Sequence, residues 1–365
     1  MAELLKNMYN RKYIETLAGE IKAVYGAFNV DGFVGFIMDE TWEKLELKER
    51  GLKITAGLGE YLPKDYHEAV GIIDNVISNY GSWLDGFALF FPEFVSVYGQ
   101  NESDWDVSMG AIERWTVHAS AEFAVRPFII NNEDKMMVQM FEWSKHKNEH
   151  VRRLSSEGCR PALPWGQALV GFKKDPLPVL SILEQLKTDE DLYVRKSVAN
   201  NLNDISKTHP DLVAKIAKEW YGKDARTDWI VKHGCRTLLK RGNREVLEVF
   251  GYNNVKDVSV ENFALSKNCV IIGEELSFSF DILAEKQTKV RLEYGIDYVK
   301  ANGKRNRKMF KISEVLLKDN ERKSYVRKHS FEDLSTRKHY AGVHCVVLAV
   351  NGVEWGNLEF EVRVE

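Results

Sequence analysis

The sequence predicts a mainly α chain, with a superhelical array of paired helices over residues 1–251 and a small β-sandwich over residues 256–365. Three observations carry this expectation. Apolar residues recur at helical spacing as far as about residue 250. A degenerate repeat runs through the later part of that region. Past Gly251 the composition changes to alternating, β-branched runs punctuated by Asn-Gly pairs.

The first helix is expected within Met1–Val24, where Leu4, Leu5, Tyr13, Ile14, Leu17, Ile21 and Val24 fall on one broad face. Further helical runs are expected at Thr41–Leu62, Tyr66–Asn79, Val107–Arg126 and Lys135–Lys145, with breaks at Tyr61–Pro63 and Tyr80–Ser82. From about Asp134 three segments share a polar turn, a valine, a basic residue and a helix: NEHVRRLSSEG, DLYVRKSVANNL and TDWIVKHGCRTLL. Their valines, Val151, Val194 and Val231, stand 43 and 37 residues apart. That spacing fits two-helix repeats of the HEAT or armadillo type. Arg152, Arg195 and Lys232 follow those valines, so stacked repeats would line them along one concave surface.

Gly251–Asn254 reads as a linker. Strands are expected at Val258–Leu265, Leu276–Leu283, Lys289–Tyr294, His344–Val350 and Leu358–Val364, with hairpin signals at Asn302-Gly303 and Asn351-Gly352. Strands at this spacing suggest an immunoglobulin-like sandwich, although the cysteine-tryptophan-cysteine signature of antibody domains is missing.

Composition narrows the function. With 44% hydrophobic residues and nine tryptophans, the 365-residue chain has the material for sizeable cores and is not a disordered polymer. A net charge of -3 means that any nucleic-acid surface must come from local segregation of charge. Cys159, Cys235, Cys269 and Cys345 stand far apart with no CxxC pair. They therefore read as buried thiols in a reducing compartment rather than as a zinc site or a disulfide framework. The charged N-terminus lacks the apolar core of a signal peptide and no apolar stretch approaches membrane-spanning length, so a cytoplasmic protein is expected. Phosphate-loop, Gly-x-Ser-x-Gly and HExxH spacings are missing, which leaves kinase, P-loop NTPase, serine hydrolase and zinc-enzyme readings without support.

Positive charge collects in two places. Lys300–Lys338 holds thirteen Lys or Arg against five Asp or Glu, densest at KANGKRNRK with Lys304, Arg305 and Arg307. It reads either as a strand edge guarded by lysines or as a phosphate-binding surface. The second set is Arg152, Arg153, Arg160, Arg195, Lys196, Lys232, Arg236, Lys240 and Arg241. These residues either serve the repeat itself or contact phosphates.

Three strings carry a resemblance: RRLSSEGCRPALPW (Arg152–Trp165), ERWTVHASAEFAVRPF (Glu113–Phe128) and WIVKHGCRTLLKRG (Trp229–Gly242). They resemble the alkylation-repair DNA glycosylases of the AlkC branch of the AlkD/AlkC superfamily, whose members can carry a C-terminal immunoglobulin-like domain. The resemblance implies a monomer that needs no metal or organic cofactor. It would excise cationic N-methylated bases, such as 3-methyladenine and 3-methylcytosine, from double-stranded DNA and leave an abasic site. A cationic base is already a good leaving group. The enzyme must chiefly stabilise an oxocarbenium-like sugar and hold a water, which carboxylates can do. An aromatic face can attract the charged lesion.

On that reading Glu157, within the SEGCRP string, is the first catalytic candidate; by spacing alone it would pair with Arg153 and Arg160. Glu122 is the second, with Arg126 as its helix-spaced alternative partner. Asp204 would extend the row and has Lys207 within pairing reach. Trp165, directly after Pro164, is either a lesion contact or packing between repeats. Arg160 either serves a phosphate or orients Glu157. The rival reading is a non-enzymatic helical-repeat scaffold that holds DNA or a protein partner on its concave face.

Overall fold

The computed structural model describes residues 5–80, 88–253, 255–334 and 337–364. Among these, sixteen α-helices run as far as Val249 and eight strands follow from Val258. The chain forms two compact units, Met1–Thr208 with Asp224–Ile230, and His209–Lys223 with Val231–Glu365.

Helix starts in this chain are written largely in asparagine. The side chains of Asn10, Asn29, Asn132 and Asn148 each accept a backbone N–H in the first turn of the helix that follows, which satisfies a donor that has no partner within the helix. The first helix is Arg11–Val24 and buries Ile14, Leu17, Ala18 and Ile21. Its face is narrower than expected: Leu5 precedes it in a 3₁₀ turn and is 51% exposed, while Leu4 lies outside the described residues. Helices Tyr66–Tyr80 and Glu133–Trp143 stand where periodicity placed them, while the run expected at Thr41–Leu62 is a 3₁₀ turn, Trp42–Lys44, followed after an extended step at Leu45 and Glu46 by helix Leu47–Tyr61. The expected break at Tyr80–Ser82 falls partly outside the described residues.

The run expected at Val107–Arg126 is a correction. It forms two helices, Trp105–Trp115 and Val125–Asn131, joined by turns. Thr116 causes the break locally, because its hydroxyl accepts the Ala121 N–H at 3.3 Å and draws the chain out of the helical path. Glu122 therefore sits in a connection rather than on a helix.

The repeat is present in three dimensions. Helix Glu149–Glu157 packs against Leu192–Ile205, and Val151 and Val194 are both fully buried. The arginines after these valines act alike. Nη1 of Arg152 donates to the carbonyls of His146 and Lys147, and Nη1 of Arg195 to those of Asp189 and Glu190, all at 2.7–3.0 Å. In these two repeats a first-turn arginine closes the turn that leads into its own helix, whereas Lys232 lies past the first turn of helix Ala225–Gly234 and does not repeat the arrangement.

In the second unit, helix Pro210–Trp220 packs against Arg244–Val249. The strands are β1 Val258–Leu265, β2 Cys269–Ile271, β3 Glu275–Ala284, β4 Thr288–Val299, β5 Arg305–Leu317, β6 Glu321–Ser330, β7 Gly342–Val350 and β8 Val353–Arg363. They form a three-stranded sheet, β1-β3-β6, and a five-stranded sheet, β2-β8-β7-β4-β5. Only the β2–β8 pair among these is parallel. Phe278 and Phe280 from one sheet share a core with Leu292, Ile296, Val346 and Leu348 from the other, as an immunoglobulin-like sandwich requires.

Asn351 and Gly352 both have positive φ, 49° and 76°, as the tight β7–β8 hairpin demands. A Cβ on Gly352 would lie 2.9 Å from the Cα of Gly242, so only glycine allows the helical segment this close. The basic region Lys300–Lys338 contains β5 and β6, and each is an edge strand of its sheet. All four cysteines are free; Cys269 is half-buried and the other three are buried. No helix among the described residues is long and apolar enough to cross a membrane.

Candidate active site

Three carboxylates and three cations in the first unit alternate along one chain of contacts. Glu122 Oε2 accepts from Arg153 Nη1 at 2.8 Å, and Arg153 Nη2 lies 3.6 Å from Glu157 Oε1. That same oxygen accepts from Arg160 Nη1 at 2.6 Å, and Arg160 Nε donates to Asp204 Oδ2 at 2.8 Å. Lys207 Nζ ends the row, 2.8 Å from Asp204 Oδ1. Glu157, Arg160 and Asp204 are all buried, while Lys207 is open to solvent.

Local sequence positions these groups in different ways. Arg153, Glu157 and Arg160 follow one another at helical spacing along the end of helix Glu149–Glu157. Asp204 comes from the last turn of Leu192–Ile205, the helix packed against it. Glu122 arrives from the connection after Trp115, and Arg126, its expected partner, turns elsewhere. The Arg126 guanidinium donates to three backbone carbonyls, those of Gln167, Gly158 and Arg160.

The free oxygen of Glu157 is also fixed. Ser197 Oγ donates to Glu157 Oε2 at 2.6 Å, so both carboxylate oxygens are held. Sequence reasoning missed this serine, although a signal exists: Ser197 and Asn201 lie among Val194, Val198 and Leu202 on the buried side of their helix. A polar residue on a core face needs a partner. Arg153 is further fixed by Ser120 and lies 5.0 Å from the centre of the Tyr193 ring.

Electrostatics keeps the arginines of the row charged. Burial works against the Arg160 cation, but Glu157 and Asp204 outweigh it and raise its pKa above the ordinary guanidinium value. Arg126, buried among carbonyls, is lowered by that burial to about 10. It stays protonated at neutral pH and adds positive potential behind Glu157 and Asp204. A buried carboxylate whose lone pairs are fixed by donors needs no reorganisation when positive charge develops nearby. The row can therefore face a carbocation-like centre with fixed negative groups.

Trp165 is the other residue that the sequence offers for the site. It is 68% exposed and has φ of +64°, a left-handed conformation rare for a bulky side chain. Its carbonyl accepts from Lys48 Nζ at 2.6 Å. It is thus an exposed aromatic on a tethered loop rather than packing between repeats.

The family is decided by the comparisons. Residues 104–245 match the family model for DNA alkylation repair enzymes, and residues 259–364 match that of the C-terminal Ig-like domain of the uncharacterised protein YhaZ. YhaZ of Bacillus subtilis (strain 168) is 48% identical over 358 residues, covering 98% of this chain and 99% of that protein. The alkylpurine DNA glycosylase AlkC of Pseudomonas fluorescens, solved bound to DNA containing an abasic site analog, is 36% identical. Its TM-score is 0.94, with 99% of this chain and 100% of that one covered. This chain belongs to the AlkC-type DNA alkylation repair family.

Within this AlkC-type chain the remaining cations differ in how they are engaged. Arg152 holds Asp189 through Nε and Nη2 at 2.7 and 3.1 Å and reaches Asp191 at 2.8 Å. Arg195 closes the turn before its own helix. Lys232 pairs with Glu314 at 2.5 Å, and Arg236 donates to the His233 carbonyl. Arg305 pairs with Glu359 at 2.9 Å, and Arg307 grips Asp297 by two bonds and also meets Glu354. Lys240, Arg241 and Lys304 are exposed. No group of three or more His, Cys, Asp or Glu among the described residues is arranged to hold a metal ion.

Proposed function

We propose that this chain is a DNA glycosylase that hydrolyses the N-glycosidic bond of cationic N-methylated bases, 3-methyladenine and 3-methylcytosine, in double-stranded DNA. The observation that carries the reading is the fixed row Glu122–Arg153–Glu157–Arg160–Asp204. Its likeness along the whole chain to AlkC, an alkylpurine DNA glycosylase, supports it further.

The base leaves with the bonding electron pair, which neutralises its positive charge, so no strong general acid is required. Positive charge moves to the deoxyribose. Glu157 and Asp204, held by Arg160 and Ser197, stabilise that charge, and Glu122 completes the negative side of the site. A water adds to C1′ and its proton passes to a carboxylate. Trp165 offers an exposed ring face to the cationic lesion. Backbone phosphates fall to the cations with no acid beside them among the described residues, Lys240, Arg241 and Lys304, and to Arg152, Arg153, Arg160, Arg195, Lys232, Arg236, Arg305 and Arg307 only where DNA displaces their present partners. The protein works as a cytoplasmic monomer.

Incubation with duplex DNA methylated at N3 of adenine or cytosine tests this. Free base and abasic sites in equal amounts are expected. Binding of the DNA without either product would instead leave a helical-repeat DNA-binding scaffold.

A further inference from the structure

The segment Gly158–Gln167 carries Arg160 and Trp165 but has little regular structure of its own. Four of its backbone carbonyls are taken up by two cations from elsewhere in the same unit. Arg126, 1% exposed, donates Nε to Gln167 O at 2.5 Å, Nη1 to Gly158 O at 2.8 Å and Nη2 to Arg160 O at 3.0 Å. Lys48, in helix Leu47–Tyr61 and 117 residues away from Trp165, donates Nζ to the Trp165 carbonyl at 2.6 Å. Its ammonium also lies 5.2 Å from the centre of the Phe123 ring, next to Glu122 in the chain.

We propose that Arg126 and Lys48 form a two-point clamp on this loop and are positioning residues for the glycosylase reaction proposed above, on which this inference rests. Arg126 binds the carbonyl of Arg160 itself, so it sets where that guanidinium meets Glu157 and Asp204. The planar guanidinium fork suits this role, because its nitrogens reach three carbonyls in fixed directions, which a lysine cannot do. Lys48 holds Trp165 at a backbone conformation that an unrestrained tryptophan seldom adopts. Neither cation has a carboxylate at bonding distance among the described residues. Their hydrogen bonds go to the loop and not to a carboxylate.

The test compares wild type with Lys48→Met, Lys48→Arg and Arg126→Lys in single-turnover release of 3-methyladenine, with DNA affinity measured in parallel. Lys48 is exposed, so its variants separate positioning from folding. Lys48→Met and Arg126→Lys should lower the single-turnover rate by about 10- to 100-fold with affinity within about threefold. Lys48→Arg should restore most of the rate. In protein labelled with 5-fluorotryptophan, the resonance assigned through Trp165→Phe should move in Lys48→Met and return in Lys48→Arg. Wild-type release with an unchanged rate and an unmoved resonance in Lys48→Met overturns the clamp while leaving the proposed function standing. A wild type that releases no base overturns the function, and the clamp falls with it.

Discussion

Ser197 and Glu157 stand 40 residues apart in the chain, yet the serine hydroxyl donates to the glutamate Oε2 at 2.6 Å inside the packed helices. This bond and the Arg160 fork leave Glu157 one orientation. Fixing a carboxylate before the reaction is what an electrostatic account of this site requires.

Ser197→Ala removes that donor and leaves Glu157 Oε2 unsatisfied. The expected cost is about 1–2 kcal/mol of stability, measured by urea unfolding, and roughly a tenfold loss of base release. Unchanged release would show that Arg160 alone orients the carboxylate.

Arg160 and Asp204 form a buried pair, and removing one member strands the other. Asp204→Asn and Arg160→Met should each destabilise by about 3 kcal/mol, while the double variant should lose less than the sum. A double-mutant cycle by chemical denaturation checks this. Additive losses would mean that the pair contributes no coupling.

The two kinds of arginine and lysine should separate by salt dependence. Arg152→Ala breaks contacts to Asp189 and Asp191 and should lower stability by about 2 kcal/mol. Lys240→Ala and Arg241→Ala should leave stability nearly unchanged but reduce the salt slope of DNA binding by about one each. Titrations across several salt concentrations, with melting curves beside them, distinguish the two behaviours.

The second unit should be acid-sensitive. His329 is buried between the hydroxyls of Tyr294 and Tyr298 at 2.9 and 2.6 Å. Burial, then Arg337, His339 and Lys308, lower its pKa to about 4. An unfolded histidine titrates near ~6.5, so between those values the unfolded chain binds a proton that the folded chain does not. Stability is therefore full above about pH 6.5 and falls by up to about 3 kcal/mol as pH drops toward 4. Denaturation midpoints over that range should show the loss, and His329→Gln should flatten it.

How much of this was legible in the sequence varies with the distance between partners. The Arg153–Glu157–Arg160 ladder lies within one helix end and follows from spacing. Asp204–Lys207 does too. Glu122–Arg126 did not form, because Thr116 breaks the helix and the spacing rule lapses outside a helix. Arg160–Asp204 and Ser197–Glu157 bridge neighbouring helices, and no local pattern encodes such contacts. The repeated valine–arginine step was visible as a period, but its use in closing a turn depends on backbone geometry that the period does not carry. Strands β5 and β6 are legible in the sequence only as a strand edge guarded by lysines, without bounds, because an edge strand can carry Lys and Arg along much of its length and so loses the alternation that marks a half-buried strand.

The most direct measurement is single-turnover release of 3-methyladenine from methylated duplex DNA by wild type and by Glu157→Gln, with the affinity of both for the same DNA. The account predicts release by wild type and a loss of about a hundredfold or more in Glu157→Gln at near-equal affinity. Equal release by the two proteins would contradict the role given to Glu157, and no release by wild type would contradict the glycosylase reading altogether.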